Sequence, residues 1–471
     1  MRISTRTLAA LSGAALLVSA ATASAATVNP RQSFIAPRHV VPGNARLRFS
    51  RTRALASNDC NENAETSFVG IPSASDVAGG SDSTVPGGFT NHACAADSGI
   101  LAGSGNLIYN DTQIYGSAIG AGTGNSLDAF EAFVGGGNAN FVNGSDGFIG
   151  SGVNNYASAA GAFVGGGGTY IQQTSTPSVL NSNEAGGQDA FVGAGDTDKA
   201  EATQSFIGSG QGNTVGQLGP DSGIVAGTGN SANAVSSAIL GGASNSVTGA
   251  YATILGGRTN TASGTYASVL GGYASNASGS YAIVAGGNTD TAAGILSFAA
   301  GYHADAGHNG TFAWSDFSSG SALLKDTAAN QFLVRASGGT TIYSNEAATS
   351  GVKLSPGSGT WASLSDRNAK TDIARLDDAS ILAKVASLPV NAWRYKAESG
   401  VRHLGPMAQD FYAAFGVGED DRHITAIDED GVALAAIKAL HSENAELRED
   451  VDALRGELHR LESAVASSRK R

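Results

Sequence analysis

The sequence predicts a mainly β protein: a parallel β-roll (solenoid) of 15-residue repeats, a small β neck, and an α+β segment that ends in a coiled coil. Glycine and tyrosine recur every 15 residues in the middle of the chain, and apolar residues recur every seven residues near its end. The 471 residues include 65 glycines but only 10 prolines. An apolar fraction of 41% is too high for a disordered linker.

Residues 1–25 are typical of an export signal. Arg2 and Arg6 precede an apolar run at residues 8–21, which is too short to span a bilayer, and Ala-Ser-Ala at 23–25 offers small residues for cleavage. We therefore expect an exported protein that resides outside the cell, at the cell surface or in the periplasm. No later segment is long enough for a transmembrane anchor.

Residues 26–66 form a basic leader that we expect to be flexible, because arginines cluster there and no acid precedes Asp59. An electrostatic tether to an anionic cell surface is the alternative role. The whole chain carries a formal net charge of -12, which argues against nucleic acid as a partner. In an exported chain Cys60 and Cys94 are expected to form one disulfide, with two free thiols as the alternative.

Residues 67–306 are the internal repeat. Gly-Gly pairs keep a 15-residue interval at Gly241, Gly256, Gly271 and Gly286, and aromatic residues keep the same interval upstream. Each copy is a short β-rich run followed by a glycine turn and a polar turn. One copy cannot bury its apolar side, whereas stacked copies share a continuous core. Residues 172–190 interrupt the interval and are expected to protrude as a loop.

The repeat strands carry apolar residues on both faces. Ala252 and Ile254 are expected to point into the coil, and Leu255 is expected to point outward. A long outward apolar stripe requires a partner, which predicts association of several copies. The repeats resemble the β-roll heads of trimeric autotransporter adhesins, and this resemblance implies a homotrimer. A calcium-binding roll would need nine-residue units with a fixed acid, so no metal is expected.

Residues 307–364 read as a β neck, since alternating apolar runs are divided by glycine turns. Directly after it, Ser365 and Lys370 lie five residues apart. Serine becomes a nucleophile when a neighbouring base accepts its proton, and lysine acts as that base when burial favours its neutral amine. The pair is common in solvated loops, so spacing alone is weak evidence.

The sequence around this pair, S-D-R-N-A-K, followed by H-L-G-P-M-A-Q-D and a terminal coiled coil, resembles the peptidase S74 family of self-processing intramolecular chaperones. These domains end phage endosialidases, tail spikes and tail fibre domain-containing proteins. The resemblance covers residues 365–435 and the coiled coil. It implies that Ser365 is the nucleophile, that Lys370 is the base, and that the Leu364–Ser365 bond is cut after trimer formation.

The second motif departs from the family in part. Gly405, Ala408 and Gln409 match its G-x-x-A-Q pattern, while Pro406-Met407 replaces the usual apolar pair and Asp410 stands where glutamate is more frequent. Asp366, His403 and Gln409 are candidate supporting residues for the dyad. Packing or capping is the alternative role of His403. No cofactor is expected.

Residues 436–471 are predicted to form a trimeric coiled coil. Two seven-residue series mark its a and d positions over about four heptads, and Asn444 at an a position is typical of a register device. The a positions are Ile437, Asn444, Val451, Leu458 and Val465, and the d positions are Leu440, Leu447, Leu454 and Leu461.

These elements predict an exported homotrimeric fibre whose C-terminal domain assembles three chains and then cleaves itself off. Two alternatives stay open. One is an adhesive or structural fibre whose C-terminal domain assembles without cutting, and the other is a prophage tail fibre component. A cell-surface or host ligand of the fibre would be a further partner, and no residue pattern identifies it.

Overall fold

The computed structural model describes residue 60 and residues 67–70, 76–109, 114–168, 182–318, 320 and 322–469. The predicted export signal and almost all of the basic leader lie outside these residues. Within them the dominant feature is a parallel β-solenoid built from a 17-stranded and a 16-stranded sheet. Successive coils of the chain contribute one strand to each sheet in turn. The predicted mainly β solenoid is therefore confirmed.

The two sheets consist mostly of two-residue strands. The first sheet contains Phe68–Val69, Thr84–Val85, Gly99–Ile100, Ala118–Ile119, Phe133–Val134, Phe148–Ile149, Phe163–Val164, Phe191–Val192, Phe206–Ile207, Gly223–Ile224, Ala238–Ile239, Thr253–Ile254, Ser268–Val269, Ile283–Asn288, Phe298–Tyr302, Phe312–Ser315 and Phe332–Arg335. The second contains Val77–Ala78, His92–Ala93, Leu107–Ile108, Ser126–Leu127, Phe141–Val142, Tyr156–Ala157, Glu184–Ala185, Lys199–Ala200, Thr214–Val215, Ser231–Ala232, Ser246–Val247, Thr261–Ala262, Asn276–Ala277, Thr291–Ala292, Ala304–Ala306 and Leu324–Lys325.

The core is a column of aliphatic side chains that runs inside the coils. Ile254 pairs in parallel register with Ile239 on one side and Val269 on the other, and all three are fully buried. Each such side chain contributes about 1.5–3 kcal/mol of burial free energy. Because every coil adds the same contacts to its neighbours, a period of 15 residues is enough to define the register along the stack.

The turn between the sheets explains the Gly-Gly pairs. In the copy at residues 256–257, the second glycine has a φ of 89°, which an L side chain rarely adopts. A Cβ on Gly257 would also collide with the carbonyl oxygen of Gly272 in the next coil. Gly256 has open space around it, so the second glycine of the pair is the one that the fold requires.

The outward faces of the two sheets differ. Ala252 and Ile254 are fully buried, whereas Leu255 is 43% exposed, as predicted. The first sheet carries apolar residues on its outward face along much of its length, including a ladder of stacked phenylalanine rings with centroids 4.8 Å apart between Phe148 and Phe163. The second sheet turns polar after Tyr156, with outward Lys199 ion-paired to Glu184. One face of the solenoid is thus apolar and half exposed.

The solenoid extends beyond the expected boundary at residue 306. Phe312 and Phe332 continue the first sheet in parallel register, and their rings stack on the column that begins at Phe298. The interval between these last coils is no longer 15 residues, which concealed them in the sequence. The stacked rings and the parallel pairing continue the coil although the 15-residue interval has ended.

The predicted loop at residues 172–190 also ends earlier than expected. Glu184–Ala185 is a strand of the second sheet, and Ala190 is 1% exposed in the core. The insertion that interrupts the interval therefore lies before residue 182, and residues 169–181 lie outside the described part of the chain. Ala190 is buried in the core although the residues before it have the composition of a turn.

After the solenoid the described chain changes to antiparallel pairing. Thr340–Tyr343, Gly351–Leu354 and Trp361–Ser363 form a three-stranded sheet. A 3-10 turn at Arg367–Ala369 follows, and then helix α1 at Asp378–Ser387.

A two-stranded hairpin joins Asn391–Trp393 to His403–Gly405, and helix α2 spans Ala408–Phe415. This completes the small α+β region that the sequence predicts.

Helix α3 at Ala426–Ser468 is the longest element of the described chain. It begins ten residues before the expected boundary at residue 436, because Thr425 caps its first turn by accepting a hydrogen bond from the Asp428 amide. Near this end Ala435, Ala436 and Ala439 are buried, and Lys438 lies 2.7 Å from Asp378 of α1. Among the described residues, no helix is both long and apolar enough to cross a membrane.

Candidate functional site

The candidate site is the turn between the three-stranded sheet and α1. Leu364 and Ser365 directly follow the strand Trp361–Ser363. A single 3-10 turn at Arg367–Ala369 then changes the chain direction before Lys370. Asp366 caps this turn, because its Oδ1 accepts a hydrogen bond from the Asn368 amide at 2.9 Å. The turn brings the side chains on either side of it to the same place.

Ser365 and Lys370 are in direct contact. Lys370 Nζ donates a hydrogen bond to Ser365 Oγ over 2.7 Å. Lys370 itself is extended, with φ -120° and ψ 146°, so its side chain can return across the turn towards the serine. A serine hydroxyl in hydrogen-bond reach of a basic side chain is the geometry that nucleophilic catalysis requires.

Both residues are exposed in the described chain, and an open groove of about 1300 Å³ lies beside them. The groove is bounded by the antiparallel sheet, the 3-10 turn and the start of α3. Leu364, Asp366 and Lys370 line it on the site's side, and Tyr343 and Ile427 lie among its other walls. The bond that joins Leu364 to Ser365 therefore lies at the edge of an unfilled concave surface.

The other predicted supporting residues take different places. His403 lies on the hairpin, where its Nε2 is 2.9 Å from Glu398 and its ring stacks on Trp393 at 4.8 Å. These are packing and pairing contacts. Gln409 is exposed in the first turn of α2. The described contacts bring only Asp366 of the three supporting candidates into the turn that carries the pair.

Asn368 is a site residue that sequence reasoning missed. Its backbone amide and its Nδ2 both donate to Asp366 Oδ1, at 2.9 and 3.1 Å, so it closes the capped turn with two hydrogen bonds. The signal was present, since aspartate two residues before asparagine is typical of a side-chain-capped turn. The sequence pattern assigned a nucleophile and a base to Ser365 and Lys370 and gave no role to Asn368.

A second group of reactive side chains lies at the other end of the described chain. Cys60 and Cys94 are joined by a disulfide, and the possible ligand atoms of these cysteines and His92 lie within 4.8 Å of one another. Metal binding by cysteine requires a thiolate, and each of these sulfurs is bonded to the other. The proximity of Cys60, His92 and Cys94 is therefore explained by the disulfide, which links two segments of the N-terminal part of the solenoid.

Comparison with known proteins assigns the C-terminal segment. Residues 365–417 match the family model described as chaperone of endosialidase, the peptidase S74 family. The match begins at Ser365 and includes the capped turn, α1, the hairpin and α2. No curated protein matches the chain.

Domains of the peptidase S74 family mediate trimerisation, and membership of this family implies an autoproteolytic chaperone activity. A domain of this kind behind a solenoid fits a tail-fibre-like or endosialidase-like protein. The chain thus carries a C-terminal domain of the peptidase S74, chaperone of endosialidase, family behind a parallel β-solenoid of about 15-residue turns.

Proposed function

We propose that the protein is the subunit of an exported homotrimeric fibre whose C-terminal domain assembles three chains and then cuts the Leu364–Ser365 bond. The 2.7 Å hydrogen bond between Lys370 Nζ and Ser365 Oγ, at the first residue of the family match, is the observation that carries the cleavage. Export rests on the signal-like residues 1–25 alone.

The coiled-coil seam supports a trimer. Beyond the part of α3 that packs on α1, its apolar a and d residues are between 43% and 64% exposed in the single chain. A narrow seam of this kind is stabilised by the facing seams of other helices. Asn444 is a polar residue at an a position, where asparagine specifies the register of the helices. Its Nδ2 donates to the Leu440 carbonyl of its own helix at 2.7 Å.

The solenoid offers a second surface for the same assembly. On the first sheet Leu240, Leu255 and Leu270 are 47%, 43% and 48% exposed, in consecutive coils. Further towards the N-terminus the outward apolar residue is a phenylalanine that lies two positions earlier in the coil. The position equivalent to the leucines is then glycine, as in Phe148 and Gly150. After Tyr156 the outward apolar residues are confined to the first sheet, which favours packing of this sheet against copies of itself.

The proposed reaction uses no group from outside the chain except water. Ser365 Oγ attacks the carbonyl carbon of Leu364 while its proton passes to the neutral Lys370 amine. The C–N bond then breaks, the Ser365 nitrogen takes up a proton, and an ester links Leu364 to Ser365 Oγ. Water hydrolyses this ester and leaves a carboxylate on Leu364 and a free amine on Ser365.

Assembly would switch this reaction on. Lysine accepts a proton only as a neutral amine, and removal from water favours the neutral form. In the single chain Lys370 is exposed beside the open groove. Neighbouring chains that close the groove would desolvate the pair, so that cutting follows trimer formation. The trimer that remains after the chaperone leaves would be held by its unfolding barrier.

Denaturing gel electrophoresis and N-terminal sequencing test the proposal. The wild type should yield a C-terminal fragment of about 12 kDa that begins at Ser365. Ser365→Ala and Lys370→Ala should give uncut trimers, because neither change touches the seam. Lys370→Arg should also stay uncut, since a guanidinium does not lose its proton in proteins.

Two outcomes would contradict the proposal. A fragment that begins at another residue, or full cutting of Ser365→Ala, assigns the cleavage to an external protease. A single uncut band from a stable wild-type trimer instead favours the fibre whose C-terminal domain assembles without cutting.

A further inference from the structure

A ladder of buried polar side chains runs through the solenoid between its two sheets. In most of the described coils one asparagine precedes the strand of the second sheet. Except at Asn155, its Oδ1 accepts the amide of the equivalent residue in the next coil, and its Nδ2 donates to carbonyl groups. Asn260 donates to Gly256 and to Gly272 of the next coil, both at 3.0 Å, and its own amide donates to Asn245 Oδ1. The asparagine rungs are Asn91, Asn106, Asn125, Asn140, Asn155, Asn183, Asn213, Asn230, Asn245 and Asn260.

Asp76, Asp198 and Asp290 stand at the asparagine position of the ladder; Asp76 is half-buried, whereas Asp198 and Asp290 are fully buried. Their Oδ1 atoms perform the usual function: Asp198 accepts from the Asn213 amide at 2.8 Å, and Asp290 accepts from the Ala304 amide at 2.8 Å. The backbone of the ladder is therefore unchanged at these rungs. Aspartate differs from asparagine only in its second terminal atom, which is the oxygen Oδ2 in place of the nitrogen Nδ2.

The second oxygen occupies the place of an amide nitrogen. A Cβ on Gly195 would collide with Asp198 Oδ2, as a Cβ on Gly88 would collide with Asn91 Nδ2. Asn91 Nδ2 donates to the Gly103 carbonyl at 2.9 Å, but a carboxylate oxygen has no proton to donate. Asp198 Oδ2 and Asp290 Oδ2 accordingly have no hydrogen-bond partner in the structure.

One proton would restore the pattern at each rung. A protonated carboxyl group is neutral, as the asparagine amide is, and has one O–H that can donate. The glycine carbonyls of the next coil stand where the amide would find its acceptor: Gly210 beside Asp198 and Gly301 beside Asp290. An ionised carboxylate there places an acceptor against an acceptor in a site without water contact, which is costly.

We propose that Asp198 and Asp290 are proton-binding sites of the solenoid: on mild acidification each takes up one proton on Oδ2 and donates it to the glycine carbonyl of the next coil. The solenoid is then stabilised by mild acid. The ligand is a proton from solvent, and no other reactant is needed.

The titration behaviour agrees with this geometry. Burial raises the pKa of Asp290 to about 6, and this effect outweighs the opposing effects of the Ala304 amide, the charge of His303 in the next coil and the Gly301 amide. Burial also raises the pKa of Asp198, with a smaller contribution of the same sign from the nearby Asp196 charge. The rungs on either side of both residues are uncharged: Asn183 and Asn213 flank Asp198, and Ser275 and Ala304 flank Asp290.

The direction of the effect follows from these values. Below about pH 4 the group is protonated in both the folded and the unfolded chain, and its stabilisation is fully present. Between about pH 4 and 6 the unfolded chain has released the proton that the folded chain retains, so stability falls as pH rises. Above about pH 6 the loss is complete. For Asp290, a change from 3.8 to about 6 corresponds to a roughly 100-fold lower folding equilibrium constant.

Urea unfolding of the full-length Ser365→Ala protein, in which the C-terminal domain stays attached, tests the proposal. Between about pH 5 and 7.5 the folding equilibrium constant should fall, with Asp290 alone contributing about tenfold. Asp290→Asn should remove that contribution and be more stable than its parent at the higher pH. The Asp198→Asn, Asp290→Asn double variant should have the weakest pH dependence.

A matched control and a converse variant make the result specific. Asp221→Asn makes the same charge change at an exposed turn and should keep the parental pH dependence. Asn260→Asp adds a third fully buried carboxyl rung and should steepen the pH dependence. Infrared spectra at about pH 5 should contain a protonated-carboxyl band that the double variant lacks. Equal pH profiles for parent and double variant, or no difference in that band, would overturn the proposal even if cleavage occurs as proposed.

Discussion

Asp366 is the residue on which the Ser365–Lys370 contact depends most directly. Its carboxylate receives two hydrogen bonds from Asn368 and thereby closes the turn that separates serine from lysine. Neither bond involves Ser365 or Lys370, so Asp366 acts in the proposed reaction as a positioning residue. The order of the chemistry follows: the cap forms the turn, the turn brings Nζ to Oγ, and that contact prepares the nucleophile.

The cap can be tested without removing the dyad. Asp366→Ala removes the acceptor for both Asn368 donors and should slow self-cleavage roughly five- to tenfold, since loss of an N-cap costs about 1 kcal/mol. Asp366→Asn keeps a side-chain oxygen for the Asn368 amide and should cut at close to the wild-type rate. Time courses on denaturing gels measure both. Equal rates for Asp366→Ala and wild type would show that the turn forms without its cap.

At the scale of elements, α3 combines two environments in one helix. Its first turns pack on α1 through small residues such as Ala435 and Ala439, and its later turns expose the heptad seam. A helix of this composition is stabilised by packing more than by intrinsic propensity. In the proposed trimer the exposed part packs against other copies, and we expect assembly to begin there, because local helical contacts form faster than non-local β pairing.

Charges in the seam should prevent assembly. Leu447→Asp with Leu454→Asp places like charges against each other in the trimer core, and we expect monomers that also fail to cut. Light scattering reports the mass and a denaturing gel reports cleavage. Ala453→Glu with Gly456→Glu adds two charges away from the seam and should leave both properties intact. Trimers from the seam variant would remove α3 from the assembly mechanism.

At the scale of the whole molecule, the solenoid has an apolar first sheet and a second sheet whose outward face is polar after Tyr156. Its core closes within each chain, since the inward residues of both sheets are buried in all but the terminal coils of the described solenoid. The outward face of the apolar sheet is consequently not part of a single chain's core, and in the proposed trimer it is the surface between chains. Removal of the chaperone domain would leave this surface as the main contact of the mature fibre.

Charges on the apolar sheet should weaken the fibre after cleavage. Leu255→Asp with Leu270→Asp would bury unpaired carboxylates between chains, so the released solenoid should melt at lower temperature and dissociate on dilution. The control Ser246→Asp with Thr261→Asp changes outward positions of the polar sheet and should preserve the trimer. Unchanged melting and mass in the leucine variant would mean that the solenoids stand apart.

The sequence by itself determined the features that repeat at short range. A 15-residue interval predicts stacked coils, the alternation around Ile254 and Leu255 predicts which side is buried, and seven-residue apolar spacing predicts the seam. The pair Ser365 and Lys370 was also identifiable, because six consecutive residues contain both it and its cap. In each case the information lies within one repeat or one turn.

Tertiary structure decided what depends on neighbours distant in sequence. The stack continues to Phe332 because rings pack across coils after the interval is lost. In the pair at 256–257 the second glycine is the constrained one, because a carbonyl of the next coil approaches it. Asp290 resembles a surface turn acid in sequence, yet it occupies a buried rung. Burial and close approach arise only when coils stack, so composition and period do not contain them.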